Sequence, residues 1–153
     1  MSYNIFSTIG HVFSTIGHAS PYLFWLITIL SLLGNYPLII VFIIGVLLNS
    51  TLNNILEYIF KKYLNQFGLI DPSGHFQALT FCFVFYILSH KTINLYVLFL
   101  FLFIALCCFM NCIVFNYHTT FEIILGIMFG VLFSYFYFIN IKPFVLLFLQ
   151  NLL

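Results

Sequence analysis

Apolar residues fall along this chain in long blocks broken by short polar interruptions, and the blocks predict helices. A first span is expected over residues 19–33, helped by the segment before it. Gly34-Asn35-Tyr36-Pro37 then reads as a turn. A second helix is expected over residues 38–62. Its first half is wholly apolar, whereas Asn49, Ser50, Thr51, Asn53, Asn54 and Glu57 make the second half polar on several sides, so those turns leave the bilayer or face protein and water. Residues 63–73, with Gly68, Asp71 and Pro72, read as a loop. A third helix spans residues 74–89, a tight connection covers His90-Lys91-Thr92, and a fourth helix spans residues 93–114. After a short connection at 115–118, residues 119–139 form a fifth span. The apolar tail that follows is too short to cross a bilayer, which takes roughly 20 apolar residues per helix.

The first 20 residues are the least hydrophobic and contain a tandem repeat: Phe6-Ser7-Thr8-Ile9-Gly10-His11 returns as Phe13-Ser14-Thr15-Ile16-Gly17-His18. The shift is one heptad, so on a helix Phe6 stacks over Phe13 and His11 over His18, an amphipathic stripe suited to an interface. A local duplication without a role fits the same residues. The chain thus divides into an N-terminal polar segment (1–20), a membrane-embedded unit (21–140) and a short apolar tail (141–153). The expected fold class is all-α, a polytopic membrane bundle of about five transmembrane helices.

Composition supports that class. Hydrophobic residues make up 64%, aromatic residues 22% and charged residues 5%, and the mean hydropathy is +1.19. In such a chain each ionisable group is costly to bury and is a functional candidate. Four lysines, no arginine and three acidic residues give a net charge of +1, which excludes a phosphate-tracking nucleic-acid surface. Cys82, Cys107, Cys108 and Cys112 all lie in apolar blocks and lack the spacing of a disulfide framework or a zinc site. No metal or cofactor is expected. No cleavable signal peptide is evident, since the N-terminus carries no basic residue. Lys61 and Lys62 fall on one membrane side and Lys91 and Lys142 on the other, so charge bias does not orient the protein. Nothing in the sequence indicates an oligomeric state.

Two passes separate His75 from His118, so the end of the second helix and the starts of the third and fifth share one membrane side. That interface gathers Glu57, Lys61, Lys62, Asp71, Ser73, His75, His118 and Glu122, including all three acids of the chain. Two histidines facing one site, one with a carboxylate four residues on, fit nucleophilic plus general-acid catalysis. The helix starts at Ser73-Gly74 and Thr119-Thr120 offer free backbone N–H groups that favour an anion. Together these features suggest phosphoryl chemistry on a lipid-borne substrate. Simpler roles exist for several of them. Thr119-x-x-Glu122 is a capping-box pattern, Glu57 with Lys61 is a helix ion pair, Gly126-x-x-x-Gly130 is a close helix contact, and His11, His18 and His90 read as solvated or headgroup-level residues.

Pro72-Ser73-Gly74-His75 resembles the second signature motif of the type 2 phosphatidic acid phosphatase superfamily, integral-membrane lipid phosphatases. The family's third signature is Ser-Arg, five residues, His, three residues, Asp; His118-Thr-Thr-Phe-Glu122 is similar to its second half, with Glu in place of Asp. Gly126 and Gly130 fall where members commonly carry glycine. The resemblance covers roughly residues 38–137. It implies that His118 is the nucleophile forming a phosphohistidine, that Glu122 orients it, and that His75 is the general acid. It further implies that Ser73 and the Gly74 amide hold the phosphate. The family's first motif, Lys, six residues, Arg-Pro, falls here on Glu57 and Leu64-Asn65, and the Ser-Arg positions are Asn111-Cys112. Lys61 and Lys62, one helical turn beyond Glu57, are the candidate substitutes for those cations. The resemblance implies metal-independent hydrolysis of a lipid phosphomonoester or diphosphate; the missing cations suit instead an inactive member acting as a membrane scaffold or lipid-binding protein.

Overall fold

A computed structural model describes residues 2–64, 71–115 and 117–151, with side chains described for all of these except residues 2–9 and 13. Six α-helices account for almost all of it: α1 (Ser2–Ser31), α2 (Tyr36–Ile59), α3 (Gly74–Ser89), α4 (Leu95–Val114), α5 (Thr120–Phe136) and α6 (Lys142–Gln150). One wider π-type turn extends α2 over Phe60–Leu64 and another joins α5 to α6 over Tyr137–Ile141. There are no strands among the described residues. The expected all-α bundle is what the chain forms.

Four helices are long and apolar enough to cross a membrane: Gly10–Ser31, Tyr36–Leu64, Leu95–Val114 and Thr120–Gln150. Most of each faces outward, as a row of exposed Leu, Ile and Phe side chains shows. That surface suits lipid, where apolar exposure carries no penalty, and makes the chain a multi-pass membrane protein. The fifth apolar helix, α3, has only 16 residues, about 24 Å at 1.5 Å per residue. It is the most enclosed element, with Phe76, Gln77, Leu79, Phe81, Cys82, Phe85 and Tyr86 buried.

The repeat and the first span are one helix. Pro21 lies within α1 and lacks the N–H that would bond Gly17 O, and the Ser20 hydroxyl donates to that carbonyl instead (2.7 Å). The heptad stacking of Phe6 on Phe13 falls outside the described side chains. Gly34, at φ +93°, ends α1 in the left-handed region, and Asn35 then caps α2 by accepting from the Leu38 N–H (3.3 Å). The tail after the fifth span also continues it. α6 follows α5 through the π turn and packs back against α2, because Val145 and Leu146 find the core. Residues 65–70 of the expected loop, including Gly68 and Asn65, lie outside the described residues.

The closest pairs of helices are α1 with α4 and α3 with α5. On the first seam a Cβ at Gly17 would overlap the Asn111 side chain, so only glycine admits α4 there. On the second, a Cβ at Gly126 would strike Ser73 O, and one at Gly130 would sit 2.7 Å from Gln77 O. The core between the seams is aromatic: Phe24 on Phe101 (4.7 Å between ring centroids) and Phe42 on Phe85 (5.1 Å). Tyr137 donates its hydroxyl to Val41 O and so ties the C-terminal part of the bundle to α2. At the far end His90 was expected to be solvated. It is part-buried, with one ring nitrogen 2.9 Å from Tyr86 O and the other 3.0 Å from Ser31 O, because α1 and α3 both leave C-terminal carbonyls open there.

Candidate functional site

The α3–α5 seam determines what meets at the opposite end of the bundle. Because Gly126 lets α5 lie directly on Ser73, the Ser73 N–H donates to Glu122 O (2.9 Å), and the starts of α3 and α5 are locked side by side. His75, second residue of α3, then lies beside His118, two residues before α5. Their ring centroids are 6.4 Å apart with the planes at 55°.

Glu122 closes the group. Its Oε2 accepts from the Thr119 N–H (2.5 Å), and its own N–H donates to the Thr119 hydroxyl (3.3 Å), so the capping box is complete. The same Oε2 lies 3.4 Å from His118 Nδ1, close enough for electrostatic contact but too loose for a formed hydrogen bond, and Nδ1 has no other partner. Cap and orienting carboxylate are therefore one side chain. With Nδ1 turned to Glu122, Nε2 is the nitrogen of His118 left to react. Glu122 is 9% exposed in all, while the His118 side chain is 26% exposed, which suits an anchored acid beside an accessible imidazole.

A cavity of about 370 Å³ opens next to His75 between α1, α2 and α3. His18, Asn49, Ser50, Asn53, Gly74 and His75 form its polar part, and Trp25, Val46 and Ala78 its apolar part. A head group with the first carbons of a tail would match that division. Gly74 has a steric reason for lacking a side chain: a Cβ there would meet the Asn53 amide at 2.7 Å. Gln77, the one amide of α3, is fully buried and donates to Asn49 O (3.3 Å) and Asn49 Oδ1 (3.2 Å), fixing α2 against α3 under the cavity floor.

The sequence candidates thus separate into three places. His75, His118 and Glu122 come together, and Gly74 lies in the cavity wall. Ser73 is 0% exposed behind that wall, its hydroxyl unpartnered and its backbone occupied with α5. Lys61 and Lys62 lie farther along α2, on a separate groove with Asn54, Glu57 and Tyr58. There Lys61 pairs with Glu57, and Lys62 donates to the Tyr58 hydroxyl (2.7 Å). No lysine is among the residues lining the cavity beside His75.

His18, Asn49, Asn53 and Gln77 are the residues near the site that the sequence did not assign to it. Polar side chains within apolar blocks were the available signal for Asn49, Asn53 and Gln77. For His18 the repeat pointed to an interface but not to this site, since its approach depends on how α1 packs. Its ring lies 5.3 Å from that of Tyr117, the neighbour of His118. Among the described residues no group of three or more His, Cys, Asp or Glu side chains is placed to share a metal ion, and all four cysteines are buried and free. No family model, no curated protein and no solved structure matches this chain.

Proposed function

We propose that this protein is a membrane-embedded hydrolase of the lipid-phosphatase type, acting on a lipid phosphomonoester or diphosphate through a phosphohistidine intermediate. The observation that carries the reading is the His75–His118 pair at 6.4 Å with Glu122 at His118 Nδ1. In-line transfer between two imidazoles needs an attack distance of about 3 Å, one P–O bond and a hydrogen bond of about 2.8 Å, a span on the order of 7 Å. The ring centroids are 6.4 Å apart, so rotation of the two rings can bring their nitrogens to such a span. His118 Nε2 forms the N–P bond as the bond to the lipid oxygen breaks, and His75 gives its proton to that leaving oxygen. Water then attacks phosphorus with His75 as base, the N–P bond breaks, and orthophosphate leaves. The resemblance of Pro72–His75 and His118–Glu122 to the phosphatidic acid phosphatase motifs supports the same assignment.

One observation favours a second reading, a lipid-binding or scaffold protein without turnover: the cavity beside His75 has no lysine in its wall, and Lys61 is held by Glu57. Phosphate release from purified protein separates the two. Detergent-solubilised wild type, offered phosphatidate and isoprenyl diphosphates with and without chelator, releases orthophosphate, and His118→Ala reduces the rate by at least about 100-fold. No release from any of these substrates, or release that survives His118→Ala, refutes the catalytic reading.

A further inference from the structure

The N-terminal repeat places a histidine in the site that no catalytic role above uses. His18 belongs to the second copy and lines the same cavity as His75, while its ring lies 5.3 Å from that of Tyr117, next to His118. The packing of α1 brings it there. Glycine at position 17 lets α1 close onto Asn111 of α4, and the turn that follows is held by the Ser20 hydroxyl in place of the missing Pro21 N–H. His11, its counterpart one heptad earlier, is exposed and is not among the cavity-lining residues. Of these two histidines, His18 is the one that lines the cavity.

We propose that His18 is the phosphoryl ligand of this cavity, donating a ring N–H to a non-bridging oxygen of the phosphate, whether that phosphate is borne by a lipid or free. The inference rests on the hydrolase reading and adds to it a group from α1. A phosphoryl dianion seated in this cavity beside His75 meets on its α2 side the neutral side chains of Asn49, Ser50 and Asn53. Neutral amides hydrogen-bond it without balancing its charge, whereas an imidazolium does both. Among the described residues that line the cavity, His18 and His75 are the two whose side chains can carry a positive charge. It is also exposed, so replacing it leaves the fold intact.

The test compares wild type, His18→Ala, His18→Arg and His11→Ala for binding of orthovanadate and for hydrolysis of micellar phosphatidate and soluble p-nitrophenyl phosphate. His18→Ala is expected to weaken vanadate binding and raise KM for both substrates by about 10- to 100-fold, with kcat changed far less. His18→Arg restores binding and His11→Ala changes nothing. An active His18→Ala protein with wild-type vanadate affinity overturns the assignment while leaving the hydrolase reading intact. A defect confined to micellar phosphatidate also overturns it, since His18 would then be meeting the membrane rather than the phosphoryl group. Wild-type protein that neither binds vanadate nor hydrolyses either substrate overturns both readings.

Discussion

Replacing Gly130 by alanine tests whether the α3–α5 seam sets the geometry of the bundle. The added methyl would sit 2.7 Å from Gln77 O and 2.8 Å from Thr80 Cβ. Ordinary van der Waals contact begins at 3.4 Å, so α5 must withdraw from α3 by about 0.7 Å, and the obstructing oxygen is backbone that has no rotamer to yield. Overpacking of this kind costs about 1–3 kcal/mol. Alanine returns about 0.5–1 kcal/mol through its better helix propensity, which leaves a net loss of about 0–2.5 kcal/mol. Gly10→Ala is the internal control: nothing lies within 4 Å of its would-be Cβ, so only the propensity gain operates and the protein gains stability. Reversible unfolding in mixed micelles, titrating a denaturing detergent, reads both. The withdrawal of α5 also strains the Ser73–Glu122 bond and separates His118 from His75, so phosphate release should fall more steeply than stability. A Gly130→Ala protein stabilised as much as Gly10→Ala would refute the seam argument.

Glu122 has two duties that substitutions separate. Glu122→Gln keeps an acceptor for the Thr119 N–H and should hold stability to within about 0.5 kcal/mol, whereas Glu122→Ala loses the cap at about 1 kcal/mol; both should slow phosphate release at least tenfold, because both remove the charge beside His118 Nδ1. If Glu122→Gln retains full activity, the carboxylate is a cap and nothing more. Tyr137→Phe leaves the aromatic packing in place but deprives Val41 O of its donor, and unfolding should show a loss of about 0.5–1.5 kcal/mol; an unchanged midpoint would mean that the α2 tie contributes nothing.

Much of the helical framework was legible in residue order. Gly34-Asn35 announces a turn, since few residues other than glycine tolerate a φ of +93°, and the apolar blocks are long enough to dictate helix wherever water is absent. The first 20 residues read as separate from the first span because Pro21 and the two glycines of the repeat, Gly10 and Gly17, argue locally against helix. The close packing of Gly17 on Asn111 and the Ser20 hydroxyl overrule that preference.

What the sequence alone determined is the membrane class, the order of the helical blocks and the placing of His75 and His118 at one end of them. Each follows from block length and pass parity, and these are properties of the chain taken one segment at a time. Which polar groups share a cavity was decided only by tertiary structure. Lys61 and Lys62 lie near Glu57 in sequence and also in space, because they are turns of one helix, and that same helix carries them away from His75. His18, 57 positions from His75, lines its cavity because a glycine at 17 allows α1 to close on α4. Helical spacing places a residue on its own element; the distance between elements is set by the smallest side chains on the seams, and no single segment contains that information.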